Sequence, residues 1–180
     1  DWSSDVCSSD LANACAILEP FPYMRLRLDL SANGDLRTQC AVLDQINQPV
    51  KIFWTKDILS VNCEMQSNNP LLTHKISERG LYDVAWQQAV KLGGFDALFV
   101  NEQGHVTEGG RSSIFIKSHH GDEWLTPPLS AGVLPGVMRQ ALLNDPAFNA
   151  REANLTIQEV LNAKEIMLSN ALRGAIKAHF

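Results

Sequence analysis

The sequence predicts a mixed α/β protein on three observations: an alternating run that ends at Asn33-Gly34, an amphipathic stretch over residues 78–94, and four short strand-like segments between residues 97 and 126. In the first, Met24, Leu26, Leu28 and Leu30 alternate with Arg25, Arg27 and Asp29, and the Asn-Gly pair that follows is a strong hairpin signal. A further strand, "VKIFWT", comes next. "KDILSVNCEMQSNNP" then loses periodicity and gathers Asn, Ser and Pro, so a linker is expected over residues 56–69. In "ERGLYDVAWQQAVKLGG" the spacing puts Leu81, Val84, Ala85, Ala89 and Leu92 on one helical face, with Gly93-Gly94 as the C-cap. "ALFV", "HVTE", "SSIFIK" and "EWLT", separated by turns, read as a meander. A helix is expected to open at Pro135, whose fixed φ suits a first turn, and to stop before Asn144-Asp145-Pro146. Thr156 and Glu159 have capping-box spacing for a short helix, and "EIMLS" reads as a buried strand leading into "NALRG".

With 180 residues, 45% of them hydrophobic, the chain has the material for one domain, or one domain and a fragment of another. The net charge of −5 and a pI near 5.5 argue against nucleic acid or an anionic membrane as the main partner. No apolar run approaches the roughly 20 residues of a membrane span, and a cytoplasmic location is the expectation. Cys7, Cys15, Cys40 and Cys63 lack CxxC spacing and companion histidines, so they read as isolated thiols, with no metal site. "DWSSDVCSSDL" is the in-frame translation of a common short-read sequencing adapter and is set aside as an artefact. The expected organisation is therefore residues 1–11 adapter, 12–55 a domain fragment, 56–69 linker and 70–180 a domain.

Three features carry possible chemistry. Lys75, behind Leu71 and Leu72, becomes a nucleophilic amine if a pocket desolvates it and lowers its pKa. On its residues alone it reads more readily as a solvated lysine. Glu108, in "VTEGGRSSIFI", can pair with a protonated pyridine nitrogen if it faces a pocket; facing water, it is hairpin decoration. In "VLPGVMRQA", a turn feeds a helix whose first amides, near Val137 and Met138, suit a phosphate, although every helix offers such an end. His119 and His120 read as a solvated turn and His74 as a packed residue. GxGxxG, HExxH and GxSxG are absent, leaving dinucleotide binding, zinc proteolysis and serine hydrolysis without a basis.

The order of the motifs joins these features. "HKISERGLYD", "ALFVNEQGHVTEGGRSSIFI", "LTPPLSAGVLPGVMRQALL" and "EIMLSNALRGAIKA", over about residues 70–178, together resemble the class IV aminotransferase-like (D-amino acid aminotransferase-like) fold of pyridoxal 5'-phosphate (PLP) enzymes. "HK" followed by Arg79 and Tyr82, together with "NALRG", most resembles the 4-amino-4-deoxychorismate lyase half of fused aminodeoxychorismate synthase/lyase proteins. The resemblance implies that residues 70–180 are a near-complete large PLP domain and that residues 12–55 are the remnant of a truncated small N-terminal domain. It implies that Lys75 holds PLP as a Schiff base and shuttles the substrate proton, and that Glu108 keeps the pyridine nitrogen protonated. The amides of Val137, Met138, Asn170 and Ala171 would take the phosphate, and Arg79 and Arg25 would meet a substrate carboxylate. Elimination of pyruvate would give 4-aminobenzoate, a folate precursor.

The implied partners are a small-molecule substrate, a second copy of the chain in a homodimer, and an upstream synthase domain in the intact gene. The same reading accounts for the small residues of "GGRSS" as room for a cofactor ring beside Glu108. Two departures stand out: the family's phosphate-binding arginine falls upstream of the adapter segment, and Ala171 replaces a hydroxyl residue. An aminotransferase on the same fold and a non-catalytic fragment of a fusion protein are the competing readings.

Overall fold

The computed structural model describes residues 23–76, 79–119 and 121–180, so the adapter-like segment, Cys7, Cys15 and His120 lie outside the described residues. The described residues form two compact units, divided between Ile46 and Asn47. In the first, β1 (Met24–Leu30) and β2 (Leu36–Val42) make the expected antiparallel hairpin, in register from Met24 opposite Val42 to Leu30 opposite Leu36. Gly34, at φ +89°, supplies the left-handed turn residue.

The second unit is built on an eight-stranded sheet of order β5-β4-β3-β10-β9-β6-β7-β8. Its strands are β3 (Val50–Trp54), β4 (Asp96–Val100), β5 (Val106–Gly109), β6 (Ser113–Lys117), β7 (Trp124–Thr126), β8 (Ala150–Glu152), β9 (Glu165–Asn170) and β10 (Gly174–His179). Among the described residues four α-helices accompany them: α1 (Thr55–Ile58), α2 (Gly80–Lys91), α3 (Val137–Asn144) and α4 (Ile157–Leu161). Among the described residues no helix is long and apolar enough to cross a membrane.

The unit boundary differs from the expected one. β3 runs parallel to both β4 and β10 inside the large sheet, so residues 47–55 belong to the second unit. The segment expected as a linker contains α1, buries Cys63 and pairs Met65 with Asn101 in an isolated bridge. Buried apolar side chains, which sequence periodicity over so short a stretch does not reveal, hold it down. The meander also breaks after β5: β6 pairs with β9 and β7, and β5 pairs with β4. The sheet curls so that β5 still reaches β6 through a turn, in which the Gly109 N–H donates to the Ser112 carbonyl at 2.7 Å.

α2 packs with a face rotated from the expected one. Tyr82, Ala85 and Ala89 are buried, while Val84 and Leu92 are about half exposed. Ala85 and Ala89 are small enough to let the helix lie close to β4, where the Tyr82 ring tilts against Phe99 with centroids 4.8 Å apart. Leu98 and Phe99 on β4 are fully buried, and each such side chain stabilises the fold by about 2–3 kcal/mol. α3 starts at Val137 with Gly136 as N-cap, two residues beyond Pro135. The capping box at Thr156 and Glu159 forms as expected.

Candidate active site

A cavity of about 190 Å³ opens between the segment before α2, the first turn of α2, β5 and the loop before α3. Met65, Leu72, Arg79, Tyr82, Glu108 and Leu134 are among its walls. Glu108 is only 5% exposed, and burial pushes its carboxyl up to about 7. The Leu134 N–H donates to its Oε2 at 3.1 Å, and this bond, with the Arg79 charge, limits the rise. The Arg79 guanidinium lies 4.5 Å from the centre of the Tyr82 ring. Burial, and then the Glu108 charge, raise the Tyr82 hydroxyl above its usual range. That hydroxyl is buried close to Glu108 but makes no hydrogen bond of normal geometry among the described residues.

Arg79 and Glu108 are thus brought together, with Tyr82 as a third member whose importance the sequence reading did not draw out. Lys75 sits outside regular structure and is exposed, rather than desolvated behind Leu71 and Leu72. Its neighbours His74 and Ile76 line the cavity, so the backbone at Lys75 runs along the cavity rim. His74 is exposed there and is not a packed core residue. Arg25 lies on β1 of the first unit, opposite Ala41.

The second group of expected residues meets at the start of α3. The N-cap Gly136 provides no side-chain cap, so the first amides of the helix, at Val137 and Met138, lack intrahelical partners. A Cβ on Gly136 would stand 3.6 Å from the Ser113 Oγ, and one on Gly174 would stand 3.8 Å from the Met138 methyl. Residues 170–174 therefore come up beside the same helix end. Asn170 stabilises its own turn, its Oδ1 accepting from the N–H groups of Leu172 and Arg173, and Ala171 lies within that turn. Ser113 and Ser169 are directly opposed on antiparallel strands and share a face. The Ser169 hydroxyl is 1% exposed and has no hydrogen-bond partner among the described residues. Neither serine was singled out from the sequence; the available signal was a hydroxyl at the end of an otherwise apolar strand.

Asp96 was also missed. It is fully buried at the start of β4 and accepts from the Ala97 N–H (2.9 Å), the Arg111 N–H (3.0 Å) and the Ser112 hydroxyl (2.5 Å). Burial pushes its carboxyl up, and these donors hold it back. The glycines after Glu108 serve this group: a Cβ on Gly109 would strike the Asp96 carboxylate, and one on Gly110 would lie 2.8 Å from the Tyr82 carbonyl oxygen. Close packing inside the protein therefore explains the small residues expected to make room for a cofactor ring.

A protein of Schizosaccharomyces pombe provisionally named an aminodeoxychorismate lyase is 29% identical over 158 residues, covering 85% of this chain. The chain spans 65% of that relative's length. The structure of a provisionally named amino-acid aminotransferase from Mesorhizobium loti superposes with a TM-score of 0.81 at 29% identity, covering 96% of this chain and 79% of that one. A Legionella pneumophila structure, provisionally named 4-amino-4-deoxychorismate lyase, gives a TM-score of 0.69 at 27% identity over 79% of this chain and 52% of its own. The family model described as amino-transferase class IV matches residues 2–179, and the chain belongs to that family.

Proposed function

We propose that this chain is the catalytic portion of a PLP-dependent 4-amino-4-deoxychorismate lyase. Members of its family use PLP. The residues present fit that group at both ends. A protonated pyridine nitrogen would give the buried Glu108 the cationic partner that a desolvated carboxylate requires. The uncapped start of α3, next to the unpartnered Ser169 hydroxyl, suits a phosphate. Lys75, Glu108, Val137, Met138, Asn170 and Ala171 would hold the cofactor, and when bound it supplies a sink for electrons released at the substrate carbon.

The chain's own groups do the rest. The Lys75 amine moves the proton lost from the substrate carbon to the departing group. Glu108, in its dry setting, holds a positive charge opposite it. Arg79 meets a substrate carboxylate with a planar fork that lysine lacks. Pyruvate leaves, and the ring becomes aromatic as 4-aminobenzoate. On this reading the product serves folate synthesis, and the protein acts in the cytoplasm as a homodimer, joined in the intact gene to a synthase domain.

The observation that carries the proposal is the placement of Arg79, Tyr82 and Glu108 on one cavity. The names of the Schizosaccharomyces and Legionella relatives support a lyase in particular. The Mesorhizobium relative favours a second reading, an amino-acid aminotransferase. Incubation with PLP, borohydride reduction and peptide mass spectrometry should label Lys75. The loaded protein should then release 4-aminobenzoate from 4-amino-4-deoxychorismate. Label elsewhere would remove Lys75 from its role. Consumption of an amino donor with no 4-aminobenzoate would establish the aminotransferase.

A further inference from the structure

The guanidinium of Arg139 is 2% exposed, although arginine is among the residues least often buried. It lies in the first turn of α3, one residue beyond Met138. Its Nη2 donates to the Pro127 carbonyl at 2.6 Å and to the Glu152 carboxylate at 2.6 Å, while its Nε has no partner among the described residues. Pro127 directly follows β7, and Glu152 ends β8, paired in parallel register with Thr126. One side chain therefore fastens the opening turn of α3 to the ends of two adjacent strands. A helix that exists only to cover the sheet needs no such fastening, because an apolar residue in this position would bury as well without the cost of desolvating a charge.

We propose that Arg139 is a positioning residue that fixes the direction of the first amides of α3, so that the helix selects a ligand carrying a phosphate monoester over the same ligand without it. This inference rests on the reading of α3 as the phosphate end of the site. Nothing in it requires Arg139 to touch the ligand: the guanidinium points its hydrogen bonds at Pro127 and Glu152, and the helix end is what the phosphate meets.

The test compares the affinities of the full chain for PLP and for pyridoxal, which lacks the phosphate, by absorbance titration. Thermal melting is recorded alongside. The wild-type chain should bind PLP at least about 100-fold more tightly than pyridoxal. In Arg139→Lys, PLP affinity should fall by about tenfold while pyridoxal affinity stays within about twofold, since the loss concerns only the phosphate. Glu152→Gln removes one charge at the half-exposed end of the pair and leaves the buried Arg139 in place. It should show the same one-sided loss at about threefold, and it keeps the test decisive if the lysine variant fails to fold. Parallel loss of both affinities, or loss of neither, would overturn the proposal while leaving the phosphate reading of α3 intact. A wild-type chain that does not distinguish PLP from pyridoxal would overturn that reading and the proposal together.

Discussion

The Glu108 carboxylate takes its hydrogen bond from the backbone N–H of Leu134, 26 positions further along the chain. The Leu134 donor and the Arg79 charge only partly offset the burial of a carboxylate that is 5% exposed, and its carboxyl rises to about 7. Unfolded, the same carboxyl titrates near its ordinary value of 4.5. Between those two values the folded chain holds a proton that the unfolded chain has released, so this group's contribution to stability falls as pH rises through that window. The loss is on the order of 3 kcal/mol. Urea unfolding at pH 5 and pH 8 should show a steeper decline for the wild-type chain than for Glu108→Gln. Equal declines would mean that Glu108 titrates as if exposed.

On the proposed reading, Glu108→Ala should leave attachment of PLP at Lys75 intact, because that substitution does not alter the amine. Turnover should fall by about 100-fold or more, the usual range for removal of one aimed electrostatic group in a dry site. Borohydride trapping reads the first quantity and stopped-flow kinetics the second. Unchanged turnover would sink the role given to this carboxylate.

Gly109→Ala should destabilise the second unit by about 2 kcal/mol or more, since its methyl would meet the buried Asp96 carboxylate with no free space to move into. Gly104→Ala, at an open left-handed turn, provides the contrast: its cost is backbone strain without a steric clash, and about 1 kcal/mol is expected. Chemical denaturation of the two variants should rank them in that order.

Thr156→Ala removes one half of the capping box at α4 and should cost about 1 kcal/mol, with no change in ligand binding. Loss of PLP affinity in this variant would show that the short helix is coupled to the site.

The sequence carried the local features well. Asn33-Gly34, Gly93, the Thr156–Glu159 pair and the apolar run "EIMLS" each specify their structure through short-range chemistry, and each appears where its chemistry puts it. Pairings across long stretches were not legible: β6 joins β9 over about 50 residues, and β3 joins β10 over more than 100. The rotated face of α2 has a similar origin. Tyr82 is buried because Phe99 and Glu108 await it, and helical spacing alone favoured Val84. Around the cavity, motif order had pointed to Arg79 and Glu108, which share its wall, whereas the places of Asp96, Ser113, Ser169 and Arg139 depend on contacts with residues distant in sequence.

The loop from Leu134 to Met138 has one more implication. Its first amide is bound to Glu108, and its last residues are the opening of α3, so five consecutive residues span the two ends of the proposed site. The spacing between those ends is thus set by covalent chain length and not by the docking of separate elements. Evolution could resurface the helix or recolour the cavity walls freely, but a gain or loss of one residue here would put the carboxylate and the helix mouth out of step for any ligand of fixed length.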